Sequence, residues 1–283
     1  MKSLLEETKQ LLRANNLYAN KKLGQNFLIN QEIIEGIVSG AEVNKEDLVI
    51  EIGPGLGSLT AELLKNAGRV VCIELDSNMI KVLEKRFSGN EKFRLIHADV
   101  LKTDLAKIIK EEKEQFGLKQ AKVVANLPYY ITTPIIMKLL EEKLDIESIT
   151  VMVQKEVAQR LTTKPGDEYT GAITYAISYY SKPSIIIDVP KENFLPAPEV
   201  DSAVMQLKIL DKPSVEVKDE MLLFEIIKQS FMQKRKTLVN SLSSSGKISK
   251  EQILEILNNL GLDEKIRAEK LTLEQFAKIA DFV

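Results

Sequence analysis

Val49-Ile50-Glu51-Ile52-Gly53-Pro54-Gly55-Leu56-Gly57 runs from a β-branched, apolar stretch straight into a glycine-rich turn, and a helical stretch opens near Ser58. Glycine tolerates backbone conformations that other residues resist, and it lets the main chain come close to a ligand. Strand, glycine turn and helix in that order make the opening of a nucleotide-type βα unit. A dinucleotide fingerprint sets glycines at its first, third and sixth positions; here they stand at the first, third and fifth, and Ser58 holds the sixth. The spacing argues against NAD and FAD.

Further β-branched runs follow at Arg69–Glu74, Phe93–His97, Lys122–Ala125 and Ile149–Val153, with helical-period stretches such as Asn78–Phe87 between them. Such alternation predicts an α/β fold with a parallel, doubly wound sheet. Glu74 closes the second run, about 20 residues beyond the turn, where a carboxylate accepts both hydroxyls of a ribose. Asp99, just past the third run, is placed to accept a hydrogen bond from an adenine amine. A ligand with a ribose and no pyrophosphate fits S-adenosylmethionine. Asp76 competes with Glu74 for the ribose, but it immediately precedes a helical stretch and is better read as that helix's cap.

Two more apolar runs, Ser184–Val189 and Ala203–Leu210, are joined by a proline-rich connection too short for a crossover helix, so the sheet is expected to close antiparallel. Past Asp211 the pattern is helical only, at about 219–231, 235–243, 249–260 and 272–282. Ser249 with Gln252 and Thr272 with Gln275 read as capping boxes, and Gly261 as a helix stop. The domains are therefore read as 1–210 and 211–283.

The chain has 283 residues, 44% of them hydrophobic, enough to bury roughly three quarters of its unfolded surface. Its 39 Lys and Arg against 41 Asp and Glu leave no bulk basic field, so any nucleic-acid surface must be local. One cysteine, Cys72, and one histidine, His97, are too few for a zinc site or a disulfide, and no metal is expected. The longest uncharged stretch, Val123–Met137, falls short of the roughly 20 apolar residues of a membrane span. The amino terminus lacks the order of a signal peptide, and a reducing, cytoplasmic setting is expected. His97 is read as a strand-end residue for which the sequence names no partner, and Cys72 as a small buried hydrophobe.

After the fourth run stands Asn126-Leu127-Pro128-Tyr129, followed by Tyr130. An exocyclic aromatic amine is a poor nucleophile, because its lone pair is delocalised into the ring. Methylating it calls for acceptors that hold both N–H groups and favour a pyramidal nitrogen. The Asn126 side-chain oxygen and a carbonyl at Leu127 or Pro128 suit that task, while Tyr129 offers a face on which an extruded purine stacks. No general base is needed, since the amine loses its proton after it has become cationic.

With these motifs go Lys22-Leu23-Gly24-Gln25-Asn26-Phe27-Leu28, Phe194-Leu195-Pro196-Ala197-Pro198-Glu199-Val200-Asp201-Ser202 and Phe231-Met232-Gln233-Lys234-Arg235-Lys236-Thr237-Leu238. Together they resemble the ribosomal RNA adenine dimethyltransferase family, most closely its small-subunit branch, from Lys21 to the carboxyl terminus. The resemblance implies a Rossmann-like methyltransferase domain with a small all-α domain behind it, S-adenosylmethionine as cofactor, and two adjacent adenosines near the 3′ end of small-subunit rRNA as target. It further implies a monomer acting on a pre-ribosomal particle. The implied cofactor pocket comprises Asn26, Leu28, Gly53, Gly55, Glu74, Asp99, Val100 and Asn126, with Asn126, Leu127, Pro128, Tyr129 and Phe194 around the target base. Tyr130 stands where a smaller polar residue is usual, and Tyr169-Thr170-Gly171 is one residue wider than the usual Tyr-Gly pair. Both departures bear on the shape of the RNA pocket.

Lys228, Lys234, Arg235 and Lys236 form a basic cluster read as phosphate contacts, and on one helix Lys228 and Arg235, seven apart, would share a face. Three other readings compete. The large-subunit enzyme of antibiotic resistance shares the loops, but the Lys-Arg-Lys-Thr-Leu string speaks against it. A non-catalytic assembly factor would not need an intact Asn-Leu-Pro-Tyr loop. In DNA adenine methylases a diproline form of that loop is commoner.

Overall fold

The computed structural model describes residues 3–19, 24–167, 169–233, 235–244, 246 and 248–283. The chain forms two units: Met1–Ala158 with Ser184–Ile209, and Gln159–Pro183 with Leu210–Val283.

The first unit runs α1 (Leu4–Ala14), β1 (Phe27–Leu28), α2 (Gln31–Gly40), β2 (Asp47–Ile52), α3 (Ser58–Asn66), β3 (Arg69–Glu74) and α4 (Ser77–Arg86). It continues with β4 (Phe93–His97), α5 (Leu105–Phe116), β5 (Gln120–Asn126), α6 (Thr132–Glu141), β6 (Ser148–Gln154) and the start of α7 (Lys155–Thr162). Two strands of the 184–209 segment, β8 (Phe194–Leu195) and β9 (Ser202–Ile209), belong wholly to it, and β7 (Ser181–Val189) begins three residues before it.

A seven-stranded sheet orders these as β4-β3-β2-β5-β6-β9-β7. β2 is parallel to β3 and to β5, β3 to β4 and β5 to β6, whereas β9 is antiparallel to β6, giving the mixed sheet expected. Every residue of β2 and β3 is buried. Continuous apolar runs, rather than alternating ones, are what a parallel strand covered on both faces needs. The connections run to one side of β2 through β3 and β4 and to the other through β5 and β6, which makes the crevice between β2 and β5 the switch point where such sheets bind ligands.

Register decides what emerges there. Ile52 is level with Ile73 and with Ala125, so Gly53, Glu74 and Asn126 leave the sheet together at its carboxyl edge. A separate two-stranded sheet pairs β1 with β8, setting Phe27 opposite Leu195 and Leu28 opposite Phe194.

The second unit is helical, with α8 (Ala172–Tyr180), α9 (Glu220–Met232), α10 (Leu238–Ser243), α11 (Lys250–Asn259) and α12 (Leu273–Phe282). Both predicted capping boxes are present, at Ser249/Gln252 and Thr272/Gln275. A single boundary near 210 needs correction, because Gln159–Pro183 lies with the helices. Tyr175 shows why. It is fully buried against Phe276, at a ring separation of 4.9 Å, and its hydroxyl donates to the carbonyls of Ala268 (3.0 Å) and Leu271 (2.7 Å). The Tyr169-Thr170-Gly171 string also belongs to this unit, with Thr170 donating to the carbonyl of Glu269 at 3.0 Å.

The basic cluster departs from expectation as well. α9 ends at Met232, the amide of Lys236 closes a turn on the Gln233 carbonyl (2.9 Å), and Thr237 caps the amide of Asn240 to start α10. Arg235 therefore sits in a turn, and it shares no helix face with Lys228. Lys234 lies outside the described residues, as do Lys22 and Leu23.

Candidate active site

One cavity occupies the carboxyl edge, and its lining brings together Asn26, Leu28, Gly53, Gly55, Glu74, Asp99, Val100, Asn126, Leu127, Pro128, Tyr129 and Phe194. Every residue predicted for the cofactor pocket and for the base pocket is in that set. Lys228, Arg235 and Lys236 are not; they are exposed residues of the helical unit.

The floor is the glycine turn. Gly53 has φ +69, and a side chain added there would meet no heavy atom within 4 Å, so the position borders open space that a ligand can fill. Gly57 is constrained from the opposite side. With φ +80 it precedes α3, and a Cβ would lie 2.6 Å from the Phe87 ring. Arg86 fastens the turn from outside, donating to the Leu56 carbonyl at 2.7 Å while pairing with Glu7 of α1.

Glu74 is held by main-chain donors. Its Oε1 accepts the amides of Leu75 and Asp76, both at 2.8 Å, and its Oε2 accepts the amide of Gly55 at 3.1 Å. Burial pushes its pKa upward against the pull of those donors. Each carboxylate oxygen has further lone-pair capacity, and Glu74 lines the cavity. Asp76 caps α4 through the amide of Asn78 and also accepts from Gln25 at 2.9 Å, in keeping with its predicted structural role. Asp99 accepts the amide of Leu101 at 3.0 Å, which fixes its carboxylate at the far end of the cavity. Leu75, half exposed between them, presents an apolar face that sequence reasoning missed. These features suit S-adenosylmethionine: an open glycine cradle, a carboxylate at the end of β3 and a second one past β4.

At the other end Asn126 donates its Nδ2 to the Asn26 carbonyl at 3.4 Å, leaving Oδ1 as an acceptor. Asn26 is itself held by a bond to the Gly24 carbonyl at 3.2 Å. The Pro128 carbonyl already accepts two donors, the amide of Ile131 and the hydroxyl of Thr132, both at 3.1 Å. Of the two carbonyls proposed from sequence, that leaves Leu127, which no donor reaches among the described residues. The Tyr129 hydroxyl is tied to Ser202 at 2.8 Å, and burial raises its pKa. Nothing local marks Ser202 or Arg86 for these tasks, because each acts across a long sequence separation.

Below the turn lies a buried polar group. Glu51 accepts from Thr60 at 2.6 Å and from the Cys72 thiol at 3.3 Å. Cys72 is thus more than an apolar filler. His97 ends β4 as read, and the structure supplies the partner that the sequence did not name, the Leu75 carbonyl 3.1 Å from its Nε2. Burial pushes the Glu51 carboxyl from the ordinary 4.5 up to about 7. Between those values the native state holds a proton that the unfolded chain has lost, so the stability tied to this group falls as pH rises through that interval. The loss is on the order of 3 kcal/mol. Glu51→Gln is expected to melt with the parent at pH 5 and above it at pH 8 by thermal denaturation; equal shifts at both would refute this account.

The profile of the family described as Ribosomal RNA adenine dimethylase matches residues 16–283. A Ribosomal RNA small subunit methyltransferase A of Lachnoclostridium phytofermentans is 48% identical over 285 residues, covering 99% of this chain and 97% of that protein. One of the same name from Clostridium perfringens is 46% identical over 277 residues, covering 98% and 95%. Among solved structures, a dimethyladenosine transferase from Plasmodium falciparum superposes with a TM-score of 0.73 at 27% identity, covering 89% of this chain and 95% of that one. The 23S rRNA methyltransferase ErmE superposes with a TM-score of 0.69 at 25% identity, covering 91% and 99%.

Proposed function

The chain belongs to the ribosomal RNA adenine dimethylase family, and from that premise we propose that it methylates N6 of two adjacent adenosines near the 3′ end of small-subunit rRNA. It is an S-adenosylmethionine-dependent rRNA adenine dimethyltransferase. The small-subunit target draws its support from relatives of that name at 44–48% identity over nearly the whole chain, against 25% for the 23S enzyme. A pre-ribosomal particle in the cytoplasm, met by a monomer, is the setting this reading entails.

The observation that carries the chemistry is a pair of acceptors that no donor reaches among the described residues, Asn126 Oδ1 and the Leu127 carbonyl, at the cavity's end opposite Glu74 and Asp99. When bound, the cofactor supplies an electrophilic methyl group. Asn126 and Leu127 accept the two N–H groups of adenine N6, which draws the nitrogen toward a pyramidal geometry and frees its lone pair. Tyr129 and Phe194 hold the ring; since the Tyr129 hydroxyl is engaged by Ser202, the aromatic face is what remains for the base. After transfer the cationic nitrogen releases a proton to solvent, and no side chain of raised basicity is required.

Mass spectrometry of small-subunit rRNA from cells with and without the protein tests the reading. The dimethyladenosines should vanish with the protein. Their persistence, or loss of methyls from large-subunit rRNA instead, would overturn it.

Arg235 and Lys236, in the turn after α9, are exposed and pair with no carboxylate among the described residues, and Lys228 is an exposed cation on α9. With Lys234 they are proposed to contact rRNA phosphates. Replacing Lys228, Lys234, Arg235 and Lys236 with alanine should weaken RNA binding and flatten its dependence on salt by up to about four counterions, leaving cofactor affinity alone. An unaltered salt slope in filter binding would return the cluster to ordinary solvated surface.

A further inference from the structure

Two tyrosines stand side by side in the short 3-10 turn Tyr129–Ile131, and they do different things. Successive residues of such a turn project about 120° apart. Tyr129 is directed inward by its bond to Ser202. Tyr130 lines the same cavity yet is 61% exposed, and its hydroxyl has no hydrogen-bond partner among the described residues. Its ring is nonetheless not adrift. A Cβ built on Gly24 would lie 3.7 and 3.8 Å from the ring's Cδ1 and Cε1, so one side of the ring rests over the Gly24 backbone.

An aromatic ring that rests against main chain along one edge and is otherwise largely exposed, at the mouth of a base pocket, is a stacking surface. A strand that gives up one base to a pocket leaves the neighbouring base without its stacking partner. Aromatic side chains at such sites capture the stranded base through its face, with little regard to its identity. We propose that Tyr130 is a positioning residue that stacks on the nucleotide flanking the target adenosine, holding the strand while the neighbouring adenosine occupies the pocket. This rests on the reading of the cavity as an adenosine pocket. It assigns the turn two aromatic tasks, Tyr129 for the reacting base and Tyr130 for its neighbour.

The test compares Tyr130→Ala, Tyr130→Leu and Tyr130→Phe in steady-state methylation of unmethylated small subunits, with cofactor titration as the check on folding. Losing one stacked base is worth on the order of tenfold. Tyr130→Ala and Tyr130→Leu should raise KM for the particle about tenfold with kcat and cofactor affinity near those of the parent, and Tyr130→Phe should restore the parental KM. Leucine keeps the packing on Gly24 but lacks the aromatic face, so a leucine variant as good as phenylalanine would reduce Tyr130 to a packing role and overturn the proposal. A parental KM in the alanine variant would overturn it too. Should the unaltered protein methylate no adenosine of these particles, the reading of the pocket fails instead, before Tyr130 is tested.

Discussion

Asn126→Ala is expected to slow single-turnover methylation of a small-subunit particle by about two to three orders of magnitude, while RNA affinity changes only severalfold. The magnitude is that of removing one fixed dipole aimed at charge that develops in a transition state. Asn126 Oδ1 is such a dipole, because its amide nitrogen is committed to the Asn26 carbonyl and cannot exchange places with the oxygen without losing that bond. The acceptor gains most as N6 turns pyramidal, so truncation acts on kcat rather than on ground-state binding. Asn126→Asp makes the complementary comparison: it keeps an acceptor at the site but forfeits the bond to Asn26. Rapid-quench rates equal to the parent's for the alanine variant would remove this loop from the mechanism.

The second large effect falls on cofactor binding. Glu74→Ala should lower affinity for S-adenosylmethionine at least a hundredfold by isothermal titration, since hydrogen bonds to a charged acceptor are worth about 1.5–3 kcal/mol each and a ribose offers two. The variant also strands the amides of Gly55, Leu75 and Asp76, which now converge on the carboxylate. Glu74→Gln touches both causes more mildly. It keeps the size of the side chain, yet its amide nitrogen cannot accept a backbone N–H, so part of the cradle is lost with the charge. Unchanged affinity in the alanine variant would show that the ribose is held elsewhere along the cavity.

The main sheet was legible because its central parallel strands are buried and so are written as largely apolar, β-branched runs; the buried Arg69–Glu74 and the half-buried edge strand Phe93–His97 are both read to the residue. The cavity was legible for a related reason. Register and strand ends alone bring Gly53, Glu74 and Asn126 to one edge, and each is marked by its place after a strand. What escaped was set by distant partners. β1 and β8 are two residues each, too short to show a period, and exist through their pairing with one another. Tyr175 looks like any apolar helix residue until its hydroxyl finds carbonyls more than ninety positions away. The break after Met232 was legible as separate helices at about 219–231 and 235–243, but the second helix starts three residues later than read, because Thr237 caps it within a string dominated by its charges, and that removes the shared face of Lys228 and Arg235. The Pro128 carbonyl was a candidate acceptor until Thr132, a helix-starting residue with its own use for it, came into view.

The Cys72 thiol, the only one in the chain, is completely buried, and its surroundings and the neighbouring Glu51 carboxyl push its pKa well above the ordinary value. Alkylating reagents need an accessible thiolate, so the folded protein is silent toward them. A cysteine introduced on the surface becomes a unique attachment point for a fluorophore or crosslinker, with no need to replace the native one. Conversely, once Cys72 does react, the strands beneath the glycine turn have parted, and the rate of its modification is a clock for the opening of the sheet on which the cofactor cradle is built.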